Sequence, residues 1–314
     1  MSTSDEGSHF LPHQPVLYQA TIAALHPFSA GKYIDGTVGA GGHAWGILQA
    51  SFPDGRLLGL DLDPDALQLS AIKLAEFGNR VVLAQASYTQ VKEEADRLGW
   101  KQVSGILVDL GVSSMQLDRP EKGFSFQAEG LLDMRFDPTN PISAADLVNH
   151  LPEGELADIL FRFGEENQAR RISQAICRAR PIHTTTQLAQ IITRALGRQK
   201  GRLHPATRTF QALRIAVNRE LDALQTFLPL AINLLEPKGI LAVITFHSLE
   251  DRIVKQFFRK ESQDCLCPPE IPICSCGHRA SVRLVTRKAI EASEEERLTN
   301  PRARSARLRV VEKL

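Results

Sequence analysis

The sequence predicts a doubly wound, mostly parallel α/β sheet carrying an all-helical insertion, on three observations. Five runs rich in β-branched and apolar residues, at 32–35, 56–61, 81–84, 105–110 and 239–246, alternate with helical patterns, the βαβ rhythm of a parallel sheet. The first run empties into a glycine cluster, Gly36-Thr-Val-Gly-Ala-Gly-Gly42, and the second ends on a carboxylate, Asp61. The fourth and fifth runs lie about 130 residues apart, whereas a crossover helix needs only about a dozen, so a further unit is inserted there.

Composition sets the outer bounds. With 314 residues, 43% of them hydrophobic and 23% charged, the chain can form one or two globular domains with a sizeable core. No run approaches the roughly 18 apolar residues of a membrane span. The first residues, Met1-Ser-Thr-Ser-Asp-Glu6, lack the basic and apolar regions of a secretion signal, so a cytoplasmic protein with no membrane partner is expected. The net charge of +1 conceals an asymmetry: residues 1–161 carry 10 Lys/Arg against 21 Asp/Glu, residues 162–219 carry 12 against Glu165 and Glu166. Eleven of those twelve are arginines, whose planar forks suit phosphate and can stack on bases. A polyanionic partner therefore ranks ahead of a merely solvated face.

The insertion begins near Asp118-Arg-Pro and continues as helical patterns at 144–151, 153–163, 168–180 and 186–196. Thr184, Thr185 or Thr186 can cap the last of these and Gly197 can end it. A basic loop, Arg198-Gln-Lys-Gly-Arg202, follows, and then one helix placing Phe210, Leu213, Val217, Leu221, Leu224 and Leu228 on a single apolar stripe. This gives a discontinuous core, 1–117 and 213–314, and a helical domain, 118–212. After the fifth strand come a helix at 250–260, a cysteine-rich loop, and strands at 281–286 and 306–311 that suit a final antiparallel hairpin.

The chemistry is predicted at the carboxyl ends of the strands, where open α/β sheets bind ligands. Gly39, Gly41 and Gly42 let the backbone turn with positive φ and leave no Cβ between chain and ligand. Asp61, some 20 residues on, can accept both hydroxyl protons of a ribose. Gly39-x-Gly41-x-x-Ala44 also fits a dinucleotide fingerprint, so this segment leaves NAD and S-adenosylmethionine both open. Asp109 ends the fourth strand and leads into a loop that can present Ser113, Ser114 and Gln116, although it can equally cap the next helix. On the fifth strand, His247 and Ser248 are either catalytic or caps for the following helix; a serine hydrolase is disfavoured by the lack of a Gly-x-Ser-x-Gly elbow.

Cys265, Cys267, Cys274 and Cys276, with His278, offer soft ligands within fourteen residues, but their one-residue gaps are tighter than those of structural zinc, and no metal is assigned. Cys177 reads as a small buried apolar residue. The final run, Asn300-Pro-Arg302-Ala-Arg304-Ser-Ala-Arg307-Leu-Arg309, places arginines toward solvent or phosphate while Ala306, Leu308 and Val310 face inward.

Taken in order, His13-Gln-Pro-Val-Leu17, Asp35-Gly-Thr-x-Gly-x-Gly-Gly-His43, Asp61-x-Asp63-Pro64, Asp109-Leu-Gly-Val-Ser-Ser114, Arg135, His204-Pro-Ala-Thr-Arg-Thr-Phe-Gln-Ala212, Thr245-Phe-His-Ser-Leu-Glu-Asp-Arg252 and Asn300-Pro-Arg-Ala-Arg-Ser305 resemble the bacterial RsmH (MraW) family. The resemblance spans residues 12–314. It implies a class I (Rossmann-like) S-adenosylmethionine-dependent methyltransferase core with an inserted all-helical domain. It also implies methylation of the exocyclic N4 of cytidine 1402, in the decoding centre of 16S rRNA within the 30S subunit. A homodimer is compatible with it.

Carried over, the family's cofactor contacts fall on Gly41, Gly42, His43, Asp61, Tyr88, Asp109 and Gln116, with Asp109 also catalytic. The basic insertion, through Arg198, Lys200, Arg202 and Arg208, would hold RNA. Tyr88 stands where phenylalanine is common, adding a hydroxyl that needs a partner, and Met115 where proline is common. The residues alone leave two competitors: an NAD-dependent Rossmann oxidoreductase, and a non-catalytic RNA-binding assembly factor.

Overall fold

Helix and strand alternate from residue 18 to residue 109 in the computed structural model of the chain, which describes residues 15–197, 204–268, 270 and 273–314. The core opens with α1 (Tyr18–Leu25), β1 (Lys32–Asp35), α2 (Gly42–Ala50), β2 (Arg56–Asp61), α3 (Pro64–Lys73), β3 (Val81–Gln85), α4 (Val91–Arg97) and β4 (Val103–Asp109). Helices α5 (Ser114–Asp118), α6 (Ala144–His150), α7 (Glu153–Gly164), α8 (Ala169–Ala179), α9 (Thr185–Leu196), α10 (Thr207–Asn218) and α11 (Glu220–Leu234) follow. The chain then returns through β5 (Leu235–Thr245), α12 (Ser248–Glu261), β6 (Val282–Leu284), β7 (Ile290–Glu291), α13 (Glu294–Thr299) and β8 (Arg307–Lys313).

The eight strands form one sheet in the order β3-β2-β1-β4-β5-β8-β6, with β7 pairing β8. Strands β1 to β5 are parallel, and β8 runs antiparallel between β5 and β6. Winding reverses between β1 and β4, which opens a crevice at their carboxyl ends. Asp35, Asp61 and Asp109 end β1, β2 and β4 at that edge. The central strands are buried on both faces. Leu57, Leu58 and Leu60 of β2 are at most 1% exposed, each stabilising the fold by about 1.5–3 kcal/mol through burial.

Two apolar clusters cover the sheet's faces. A third, including Leu132, Val148, Leu160, Ile176, Leu188 and Leu213, is built by α6 to α10 and the segment leading into them. The third cluster is tied to the sheet by polar contacts: Glu165, the left-handed cap of α7, accepts from Ser248 Oγ (2.6 Å) and Arg252 Nη2 (2.9 Å) of α12.

Three local readings change. The single helix expected across 210–228 is two, broken at Arg219, which is left-handed (φ 49°). The break turns Glu220 back so that it grips Arg214 on the preceding helix. Strand β5 begins earlier, at Leu235, with a register shift opposite Val103 and Gly105, and the two-residue β7 was not foreseen. On β8, Arg309 does not reach solvent or phosphate: its guanidinium is 12% exposed and pairs with Asp251 (2.7 and 3.1 Å).

Candidate active site

The glycine turn is fixed from both sides. Gly39 (φ +51°) donates its N–H to Asp61 Oδ2 at 2.9 Å, and Asp63 N–H donates to Asp61 Oδ1 at the same distance. Asp61 is thus clamped at the mouth of the crevice with both oxygens oriented and lone pairs left for further donors. Burial pushes its pKa up to about 6, and the same cause pushes Asp35 to about 7. The crevice itself is a cavity of about 620 Å³, walled by Gly39, Gly42, His43, Asp61, Tyr88, Asp109 and Gln116 among others.

Gly41 is placed differently from expectation. It is absent from the cavity wall, and a Cβ there would meet Ser70 of α3 and Leu74 at its C-cap at 3.3 Å rather than ligand space. Its role here is conformational, since it caps α2 with φ +77°. Gly42 does line the cavity, but an added Cβ would strike Pro15 at 2.3 Å, so close backbone approach explains this glycine too.

His43 lies on the first turn of α2 with Nε2 3.7 Å from Asp109 Oδ2, its ring stacked on Tyr18. Burial lowers its pKa to about 4, leaving a neutral imidazole that does not repel a cationic ligand. Gln116 is already engaged: its carbonyl accepts from Ser113 N–H (3.0 Å) and its amide donates to buried Asp63 (3.0 Å). It closes the crevice by clasping the loop after β2 to the loop after β4. Tyr88 packs edge-on against Phe227, and burial raises its phenol, helped by the charges of Glu220 and Glu250. The hydroxyl that departs from phenylalanine therefore faces an acidic wall.

Asp109 donates its backbone N–H to Thr37 Oγ1 (2.6 Å), while Oδ1 is buried without a hydrogen-bond partner. Burial, then Asp35 and Glu250, hold its carboxyl well above the usual range. His247 is a helix cap, one of the two roles its position allowed. Its Nδ1 receives Glu250 N–H, and its Nε2 lies 3.0 Å from Glu250 Oε1 without hydrogen-bond alignment. Arg198, Lys200 and Arg202, with the first residues of the His13 motif, lie outside the described residues. Arg208 is exposed and donates to the Glu165 carbonyl (3.2 Å).

Sequence reasoning missed the floor of the crevice. Arg214, Glu220 and Glu250 come from α10, α11 and α12 and converge on the cavity. Arg214 pairs through Nε and Nη2 with both oxygens of Glu220 (2.8 and 2.9 Å). Its Nη1 makes no described hydrogen bond and lies 3.9 Å from where a Cβ on Gly111 would sit, at the cavity wall. Although burial opposes it, His247 and Arg214 hold Glu250 below the usual carboxylate range, so it is ionised. Asn300, Arg302 and Ser305 also reach the cavity from the chain's far end. Only a sequence signal for buried charge, Arg and Glu flanking a helix break, could have drawn attention to the first pair.

The donor set fits a nucleoside bearing a sulfonium: a carboxylate with oriented oxygens for a ribose, an aromatic wall at Tyr88, a neutral His43, and an unsatisfied carboxyl, Asp109, for a cation. The comparisons agree. The MraW methylase family matches residues 10–314. The chain is 50% identical over 303 residues to "Ribosomal RNA small subunit methyltransferase H" of Dehalococcoides mccartyi, covering 96% of this chain and 87% of that one. To the protein of the same name from Heliobacterium mobile it is 50% identical over 309 residues, covering 96% and 99%. Among solved structures it is similar to an rRNA methylase from Streptococcus thermophilus, at 9% identity and a TM-score of 0.42 over 95% of this chain and 93% of that one; family membership rests on the sequence matches alone. They decide between the two cofactors that the glycine pattern left open. The chain belongs to the MraW methylase family, with a class I methyltransferase core whose cofactor is S-adenosylmethionine.

Proposed function

We propose that the protein methylates the exocyclic N4 of cytidine 1402 of 16S ribosomal RNA, with residues 118–212 as the domain that grips the RNA. The relatives' shared name supports small-subunit rRNA as substrate. One observation carries the choice of atom: a carboxyl acceptor, Asp109, and a guanidinium donor, Arg214, line the same cavity. Cytosine presents that complement, an amino donor beside the N3 acceptor, whereas uracil presents a carbonyl beside an N–H.

A cytosine amino nitrogen is a poor nucleophile because its lone pair is delocalised into the ring. S-adenosylmethionine supplies an electrophilic methyl group on a cationic sulfur. The residues must then localise the nitrogen lone pair and hold it in line. Asp109 accepts one amino hydrogen, and the ligand's positive charge favours its ionised form against the burial that raises its pKa. Arg214, braced by Glu220, fixes the ring edge, and Phe246 with the loop at Leu110 and Gly111 frames the base. After methyl transfer the nitrogen sheds one proton, which Asp109 receives. No stronger base is needed, and positioning supplies much of the acceleration.

The test is to incubate the protein with isotopically labelled S-adenosylmethionine and either naked 16S rRNA or 30S particles, then map modified nucleosides by mass spectrometry. The expected product is N4-methylcytidine at position 1402. A methyl group on carbon-5, on a ribose, or on another nucleotide overturns the proposed substrate atom.

A further inference from the structure

We propose that Cys265, Cys267, Cys274 and Cys276 form a structural site for one Zn²⁺ ion. The four lie between the end of α12 at Glu261 and the start of β6 at Val282, in a segment with little to hold it by burial: Leu266 is 38% exposed and Ile273 80%. Their sulfurs nevertheless converge, all four within 4.8 Å of one another. Cys265 Sγ is 3.4 Å from Cys274 Sγ and 3.9 Å from Cys276 Sγ, and Cys274 and Cys276 are 3.6 Å apart.

A tetrahedron with Zn–S bonds of about 2.3 Å has sulfur–sulfur edges of about 3.8 Å, close to these separations. A disulfide would need about 2.05 Å, and all four cysteines are free. Packing four thiols at such distances gains little burial, because Cys265, Cys274 and Cys276 remain exposed and only Cys267 is half-buried.

The backbone supplies a second, independent sign. Leu266 N–H points at Cys276 Sγ (3.3 Å), Cys267 N–H at Cys265 Sγ (3.4 Å) and Ser275 N–H at Cys267 Sγ (3.4 Å). N–H donors converging on sulfur are what metal-bound thiolates require around them to disperse negative charge. The one-residue gap that argued against zinc in the sequence is accommodated by this turn, in which Cys267 folds back over Cys265. His278 is turned away, its Nε2 3.0 Å from the Lys260 carbonyl, so the ligand set is four sulfurs. Soft, tetrahedral S₄ selects zinc over hard cations. None of the four cysteines lines the crevice, which makes the site a staple for the segment leading to the sheet's edge strand and not part of the chemistry.

The experiment uses the full-length protein. Elemental analysis should find about one zinc per chain, and titration with a mercurial in the presence of a chromogenic chelator should release that zinc as four thiols react. The double variant Cys265→Ser/Cys276→Ser should hold less than about one-tenth of a zinc, and limited proteolysis should then cut between residues 262 and 281. Its affinity for S-adenosylmethionine should match the parent's, which shows that the variant folds. Cys177→Ser should retain the full zinc content. The proposal is overturned if protein incubated with Zn²⁺ under reducing conditions and then desalted holds less than about one-tenth of a zinc, if iron occupies the site instead, or if intact mass shows the four cysteines paired as disulfides.

Discussion

At the scale of single residues, Asp61 shows how a strand end prepares a ligand contact. Two backbone N–H groups orient the carboxylate, and burial pushes it up to about 6. The ionised form can accept both ribose hydroxyls, whereas protonation converts one oxygen into a donor. Because protonation sets in as pH falls through about 6, cofactor affinity should hold above that value and decline below it. Calorimetry between pH 5 and 8 checks this, and a flat profile counts against the assignment. Asp61→Ala should weaken binding by about 1.5–3 kcal/mol at neutral pH, the range for hydrogen bonds to a charged group. Asp109 differs, since it faces the reacting base as well as the cofactor. Asp109→Asn keeps the shape but replaces a carboxylate acceptor, so kcat should fall more than cofactor affinity does; equal losses would reduce Asp109 to a binding residue. Both aspartates were legible because a carboxylate ending an apolar run points to the sheet edge. Arg214, Glu220 and Glu250 were not, because a helix break turns Glu220 back onto Arg214 and Glu250 joins them from a later helix, across an intervening strand.

At the scale of elements, alternation and caps carried most of the signal. Thr184 caps α9 and Gly197 ends it, as their residue types suggested, and β1 and β2 fall on the runs that marked them. The apolar stripe across 210–228 concealed a break, because the spacing runs on through a single left-handed residue, Arg219, although Phe210, Leu213 and Val217 pack into the helical cluster and Leu224 and Leu228 against the sheet. The glycine turn was legible as a site but not in its detail. Gly41 is required by α3 and by its own φ of +77°, not by ligand volume. Gly41→Val should therefore act through the fold: a β-branched residue at positive φ costs about 1–3 kcal/mol, and its Cβ presses on Ser70 and Leu74. Denaturant unfolding should show that loss without any ligand present, alongside weaker cofactor binding. Unchanged stability with lost binding would return Gly41 to the ligand contacts.

At the scale of the whole molecule, the charge asymmetry is the feature that composition revealed and the fold sorts. Not every arginine of the basic segment is available to a partner. Arg180 binds the Val148 and Leu151 carbonyls at the end of α6, and Arg214 is half-buried and paired with Glu220. Arg170, Arg171, Arg178 and Arg194 are exposed and take part in no described ion pair, so the insertion retains a field of free guanidinium groups. An exposed guanidinium without a carboxylate contributes little to stability but can displace counterions from phosphate. That argues for a nucleic-acid grip independent of the crevice. Reversing Arg198, Lys200 and Arg202 to Glu tests it, since these three extend the same charge. RNA association should weaken, and the slope of log affinity against log salt should flatten by up to about 0.7 per lost single-strand contact. Cofactor affinity should stay at the parental value, because Asp61, Tyr88, Asp109 and the other described residues of the crevice wall are untouched by the changes. Should the variant methylate 30S particles at the parental rate throughout a salt series, the loop makes no phosphate contact, and the grip must lie on the exposed arginines of the helices, Arg208 included, or nowhere on the insertion.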